Sequence, residues 1–185
     1  MANELTAKRM ELLRELAPGV ARIALLVTTS DEPITAITVR DAQEAARAMG
    51  LHIKVHGANT SREIDAAFET FMRERPDALF VGPSAFFNAR RVQLAHWATY
   101  YRVPSTYSGR NYVEAGGLMS YGADLRDAYR QMGVYTGRVL KGAKPADLPV
   151  MQASKFELVI NHQTARMLGL TVPPSLLAVA DEVIE

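Results

Sequence analysis

The chain has no cysteine in its 185 residues. That excludes disulfides and thiolate metal sites, and it leaves the redox compartment open. It also has almost no net charge, with 21 Lys and Arg against 20 Asp and Glu. Nucleic acid demands a concentrated basic face, and a pair such as Arg90 and Arg91 is ordinary solvated helix, so no nucleic-acid partner is expected. Nowhere do about eighteen apolar residues run together, so no membrane-spanning helix is encoded. The opening ten residues are polar and lack the apolar stretch and cleavage site of a secretory signal. The four histidines (His52, His56, His96 and His162) are scattered without HExxH spacing, which leaves zinc chemistry unsupported. Neither a Walker A sequence nor GxGxxG occurs. The segment Gly82 to Phe86 starts like a nucleophile elbow but ends in Phe where close strand–helix packing requires Gly. No enzymatic activity and no cofactor are expected.

What is present is an α/β pattern. Apolar residues make up 48% and charged residues 22%, enough for one domain with a sizeable core. Short β-rich runs alternate with helical segments, as in a parallel sheet covered on both faces. The strands are expected at Arg22 to Thr28, Leu51 to Val55, Asp77 to Val81, Val103 to Tyr107 and Leu118 to Tyr121. The helices are expected from Leu5 to Leu16 (Leu12, Leu13 and Leu16 inward), Pro33 to Met49, after a Thr60/Glu63 capping box, Ala85 to Tyr101, and Leu125 to Leu140. In the fourth of these Val92, Ala95 and Ala98 or Thr99 should face inward. In the last, Leu125, Ala128, Met132, Tyr135 and Val139 should. Right-handed crossovers then give a three-layer sandwich around a five-stranded, flavodoxin-like sheet of order 2-1-3-4-5.

One ordered set of segments is more specific. Asn111 to Asp124 (NYVEAGGLMSYGAD) reads as a loop, a short buried strand, a glycine turn and an acidic helix opener. Lys141 to Pro149 (KGAKPADLP), Lys155 to Asn161 (KFELVIN) and Thr164 to Leu170 (TARMLGL) follow. In this order they resemble the ABC-transporter substrate-binding proteins of the tryptophan/aromatic-solute type, which share the type I periplasmic-binding-protein fold. The resemblance runs from about Lys8 to Glu185. It implies two lobes closing on a solute, of which this chain matches the second lobe and C-terminal tail. Residues 1–149 would be the Rossmann-like ligand-binding lobe, and 150–185 a tail that in full-length relatives returns to the first lobe. By the same resemblance the protein is periplasmic and hands a small solute to an ABC permease; a natural product beginning at Met1 would be cytoplasmic. A ligand-sensing regulatory domain of the same fold is the alternative. A tail without its partner surface predicts a homodimer that buries exposed apolar area mutually.

In open α/β sheets ligands bind outside the carboxyl ends of the strands. The loops expected there are small and polar, and several open helices whose N-terminal N–H groups favour an anion. Thr29, Ser30 and Ser84 offer hydroxyls, Phe86 and Tyr121 an aromatic wall, and Arg110 a bidentate grip on a carboxylate. The resemblance places the Tyr-Gly-x-Asp turn at the cleft, where the Asp124 carboxylate suits a ligand ammonium. Two departures from the family pattern are visible: Leu125 follows that Asp where a Tyr is common, and Thr28-Thr29-Ser30 stands where many members carry Asn-Pro. Taken singly, Ser30, Thr60 and Asp124 also have the composition of plain helix caps.

Overall fold

The computed structural model describes residues 2–29, 33–150 and 155–185. The expected cap Ser30 lies outside them. Helix α1 (Ala2–Leu16) leads into strand β1 (Arg22–Val27), and α2 (Pro33–Ala48) into β2 (His52–Gly57). Next come α3 (Ser61–Glu74), β3 (Ala78–Val81), α4 (Ala85–Ala89), α5 (Arg91–Tyr100), β4 (Ser105–Tyr107), α6 (Arg110–Glu114), β5 (Met119–Ala123) and α7 (Leu125–Leu140). A 3-10 turn at Pro145–Asp147 precedes β6 (Phe156–Asn161), α8 (His162–Met167), α9 (Pro174–Val179) and β7 (Glu182–Ile184).

Strands β1 to β5 are parallel in the expected order, and the sheet extends it to β2-β1-β3-β4-β5-β6-β7. The expectation of five strands is therefore two short. β6 lies antiparallel to β5, with Ala123 opposite Phe156 and Met119 opposite Ile160, and β7 runs parallel to β6. The tail from residue 155 thus joins this lobe's own sheet, because the free edge of β5 offers a row of unpaired backbone groups that a β-rich run satisfies.

Both faces are covered, which explains why β1 is apolar from Ile23 to Val27. Ile23, Leu25 and Val27 pack on one side with Met10, Leu13, Leu16, Ala42 and Ala46 of α1 and α2. Ala24 and Leu26 pack on the other with Ile64, Phe68 and Phe71 of α3 and Leu94 and Ala98 of α5. At the amino edge of the sheet, Asp77 ties two strands together. Its Oδ2 accepts from the Ala21 and Arg22 amides at 3.1 and 2.8 Å, and its Oδ1 from the Arg22 guanidinium at 3.0 Å. Burial pushes the Asp77 carboxyl up, but the Arg22 side chain and the two amides outweigh it and leave the group below its ordinary 3.8. A depressed folded value means stability that is present above 3.8 and lost as pH falls through the lower, folded value. Asp77→Ala should cost about 1–3 kcal/mol at pH 7. Urea unfolding should show that gap to wild type closing below about pH 4; a gap constant down to pH 2.5 would refute the assignment.

Three local expectations are corrected. The helix over 85–101 is two helices, because Arg90 leaves the helical region at φ −104°, ψ 16°. That resets the phase: Leu94, Ala95 and Ala98 face inward and Val92 is exposed. The capping box is also rearranged. Thr60 Oγ1 accepts from the Glu63 amide at 3.2 Å, but the Glu63 carboxylate accepts from the Asn59 amide, one residue upstream of the expected partner. Finally, α7 keeps its predicted bounds but only part of its predicted face: Ala128 and Tyr135 are half-buried. Leu125, Met132 and Val139 are exposed, together with Tyr129 and Leu140, and the side it buries carries Asp127. The apolar stripe is real but mostly uncovered, because the helix leaves the sheet at Asp124; Tyr135 meets the chain again only at Pro149, to whose carbonyl its hydroxyl donates at 2.9 Å.

Candidate functional site

The turns after β1, β3, β4 and β5 line up along the carboxyl edge of the sheet. Two glycines let them approach. A Cβ on Gly82 would meet Val27 Cγ1 at 3.0 Å and the Leu26 carbonyl oxygen at 3.2 Å; one on Gly122 would stand 2.0 Å from the Ser108 carbonyl oxygen. Gly122 lies inside β5, so the expected glycine turn is a strand whose backbone passes close to the next loop.

Beneath this edge, between α1, α2 and the ends of β3 to β5, lies a cavity of about 180 Å³ lined by Thr6, Arg9, Thr38, Asp41, Ser108 and Tyr121, among others. Larger clefts exist, about 450 Å³ beside α7 and about 340 Å³ beside β2. In the first, Arg130 pairs with Asp127 while Arg138 and Lys155 are exposed to solvent; in the second, Arg22 pairs with Asp77 and Lys54 with Glu74. The smaller cavity differs in that its cation is buried and, among the described residues, has no carboxylate partner. Arg9 is 4% exposed. Among the described residues it reaches the Val81 carbonyl, through Nη1 at 3.4 Å, and the Phe80 ring, 4.3 Å from guanidinium carbon to centroid. Burial pulls the Arg9 guanidinium down to about 10, with Tyr112 acting weakly in the opposite direction.

The expected site residues are distributed as follows. Thr29 is exposed at the end of β1, where its amide donates to Asn59 Oδ1 at 2.9 Å and its hydroxyl accepts from the same side chain, locking the first two loops together. Ser30 lies outside the described residues. Ser84 caps α4, accepting from the Phe86 amide at 3.1 Å, and Phe86 is half-buried against the second core cluster. Tyr121 lines the cavity and tilts against Phe156. Asp124 caps α7, its Oδ1 accepting from the Arg126 and Asp127 amides at 2.9 and 3.2 Å.

Arg110 sits at the same edge but is tied down internally. Nε donates to Glu114 at 2.9 Å, Nη1 to Glu157 at 3.0 Å and Nη2 to Glu182 at 2.8 Å. The Glu114 hydrogen bond, followed by those to Glu182 and Glu157, raises its pKa. The geometry therefore gives the guanidinium a binding task within the fold, in place of the open grip on a solute expected from sequence.

Arg9 and Asp41 were not among the expected residues. A signal existed. Arg9 falls in register with Leu12, Leu13 and Leu16, and Asp41 beside Ala42 and Ala45, so each is a charge placed in an apolar helix stripe.

A family model described as ABC transporter substrate binding protein matches residues 2–184. The chain belongs to that family. Among relatives of this ABC transporter substrate-binding family member is the tyrosine-binding protein of Clostridioides difficile, 24% identical over 163 residues, which cover 88% of this chain and 47% of that protein. Among solved structures, a Streptococcus pneumoniae protein determined in complex with L-Trp superposes with a TM-score of 0.85 at 29% identity, covering 97% of this chain and 62% of that one. A ligand-free, open substrate-binding protein from Clostridium difficile gives a TM-score of 0.69 at 22% identity, covering 96% and 59%, a likeness of fold. The chain therefore spans about half to three-fifths of the length of these substrate-binding relatives. Among its described residues no helix is long and apolar enough to cross a membrane.

Proposed function

We propose that this chain supplies one wall of the solute site of an ABC transporter's binding component, working on the outer face of the membrane and delivering an amino acid or related small solute to the permease. The reading is carried by the carboxyl edge of the sheet, where Pro83, Ser108 and Tyr121 to Ala123 line a cavity whose buried cation has no carboxylate partner among the described residues. Relatives that bind tyrosine or were solved with L-Trp support the class of solute. Thr29, Ser30, Ser84, Phe86, Tyr121 and Asp124 are the contacts this reading assigns, with the lobes closing about a hinge. Half of the desolvating contacts reside in a second lobe, so the chain on its own binds weakly, with a dissociation constant of about 1 mM or poorer. The exposed stripe of α7 suits burial against a second copy of the chain when it stands by itself.

An NMR titration with L-tryptophan tests this. Amide shifts should concentrate at Thr29, Ser84, Tyr121 and Asp124 and saturate in the millimolar range or above, while line widths at high protein concentration should report a dimer. Shifts spread evenly over the surface, or a micromolar one-to-one complex with a monomer, would overturn the reading.

A further inference from the structure

We infer that Arg9 and Asp41 are the paired charges that hold the carboxylate and the ammonium of a zwitterionic solute in the cavity beneath the sheet's carboxyl edge. This rests on the solute-binding reading above and deepens it, naming the chemical class of the solute and the two groups that select it.

A guanidinium carries five N–H donors. Arg9 uses one of them, in a long contact to the Val81 carbonyl, and among the described residues no carboxylate lies within ion-pair distance of it. Burying a charge without a counter-ion is costly, and a fold that needed only a core filler would place Met or Leu here. The Phe80 face offsets part of that cost by a cation–π contact without neutralising the charge. Asp41 is 1% exposed and lines the same cavity. Its Oδ1 accepts from Nε and Nη2 of the solvent-facing Arg40, at 3.1 and 2.8 Å, an ion pair on the outer side, and its Oδ2 has no hydrogen-bond partner among the described residues. Two opposite charges thus share one small cavity without pairing to each other, which is the complement of a molecule bearing both signs. The cavity, at about 180 Å³, is smaller than the roughly 300–1,000 Å³ that encloses a whole small ligand. It therefore suits the charged head group, with Thr6, Thr38 and Ser108 lining it.

Three probes isolate the two charges: L-tryptophan, indole-3-propionate, which lacks the ammonium, and tryptamine, which lacks the carboxylate. Wild type should bind L-tryptophan more tightly than either analogue. Arg9→Met, which keeps an apolar stem, should weaken L-tryptophan and indole-3-propionate by about tenfold or more and leave tryptamine unchanged. Asp41→Asn should weaken L-tryptophan and tryptamine and spare indole-3-propionate. Melting of the unliganded protein separates binding from packing: Arg9→Met should melt at or above the wild-type temperature, because it removes an uncompensated buried charge. Equal binding of L-tryptophan and tryptamine by wild type overturns the inference without any variant. So does an Arg9→Met protein that melts several degrees lower and binds all three probes as wild type does. In both cases loop shifts with L-tryptophan would leave the solute reading standing. If L-tryptophan shifts none of the carboxyl-edge loops of wild type, both fall.

Discussion

Replacing Arg110 with alanine is expected to destabilise the protein by about 3–5 kcal/mol, because it leaves a buried carboxylate without its counter-charge. The three partners do not contribute equally. Glu114 and Glu182 side chains are about half exposed, and such pairs contribute little. Glu157 is 11% exposed and faces Gly122 in the β5–β6 ladder, so its charge has nowhere else to go. The loss should therefore concentrate on the tail. Hydrogen exchange in β6 and β7 should quicken more than in β1 or β3, and Arg110→Ala with Glu157→Gln should recover much of the stability in urea. Lysine cannot substitute, since one compact ammonium does not span three carboxylates in a fixed fork. A single variant within 1 kcal/mol of wild type, or a double variant no better than the single, would refute the account.

Gly122→Ala is expected to be the most damaging conservative change at the site itself. The new methyl would lie 2.0 Å from the Ser108 carbonyl oxygen and 3.0 Å from its carbon, and backbone atoms cannot rotate out of the way. Overpacking costs of about 1–3 kcal/mol are the floor, since either β5 or the Ser108 turn must move. Both line the cavity, so solute affinity should fall as well. Gly133→Ala supplies the contrast. Its Cβ meets nothing within 4 Å, and within the α7 helix the change should stabilise by about 0.5–1 kcal/mol. Paired thermal melts read the opposite signs; equal shifts for the two substitutions would show that the close approach to Ser108 carries no cost.

The parallel half of the sheet was legible because its strands are buried on both faces and because crossovers between parallel strands have one hand. Residues 23–27 and Ala78–Val81 are apolar end to end, and the order 2-1-3-4-5 followed. β6 was not assignable to this sheet, since its apolar run suits any free edge and the partner, β5, lies far upstream. The stripe of α7 shows the same limit from the other side. Periodicity reports which residues share a helix face, whereas what that face meets depends on the direction the chain takes after Asp124. At the site, topology located the carboxyl-edge turns, but the fate of Arg110 depended on distance in sequence. Glu114, four residues on along one helix, was readable as a partner; Glu157 and Glu182 come close only after the tail docks. Arg9 and Asp41 were overlooked because charged residues on helices are usually solvated, and only their phase within the apolar stripes marks them out.

The pairing of β5 with β6 has one more consequence. The Asp124 amide donates to the Lys155 carbonyl at 3.0 Å, and Ala123 faces Phe156. The long excursion that contains α7 therefore departs and returns through a zipped stem, its two ends pinned side by side. Lengthening or reshaping such an appendage adds only slowly growing closure entropy and leaves the strand register alone. The fold can in this way carry an interchangeable appendage, free to diverge in length and surface while the chamber under the sheet stays fixed.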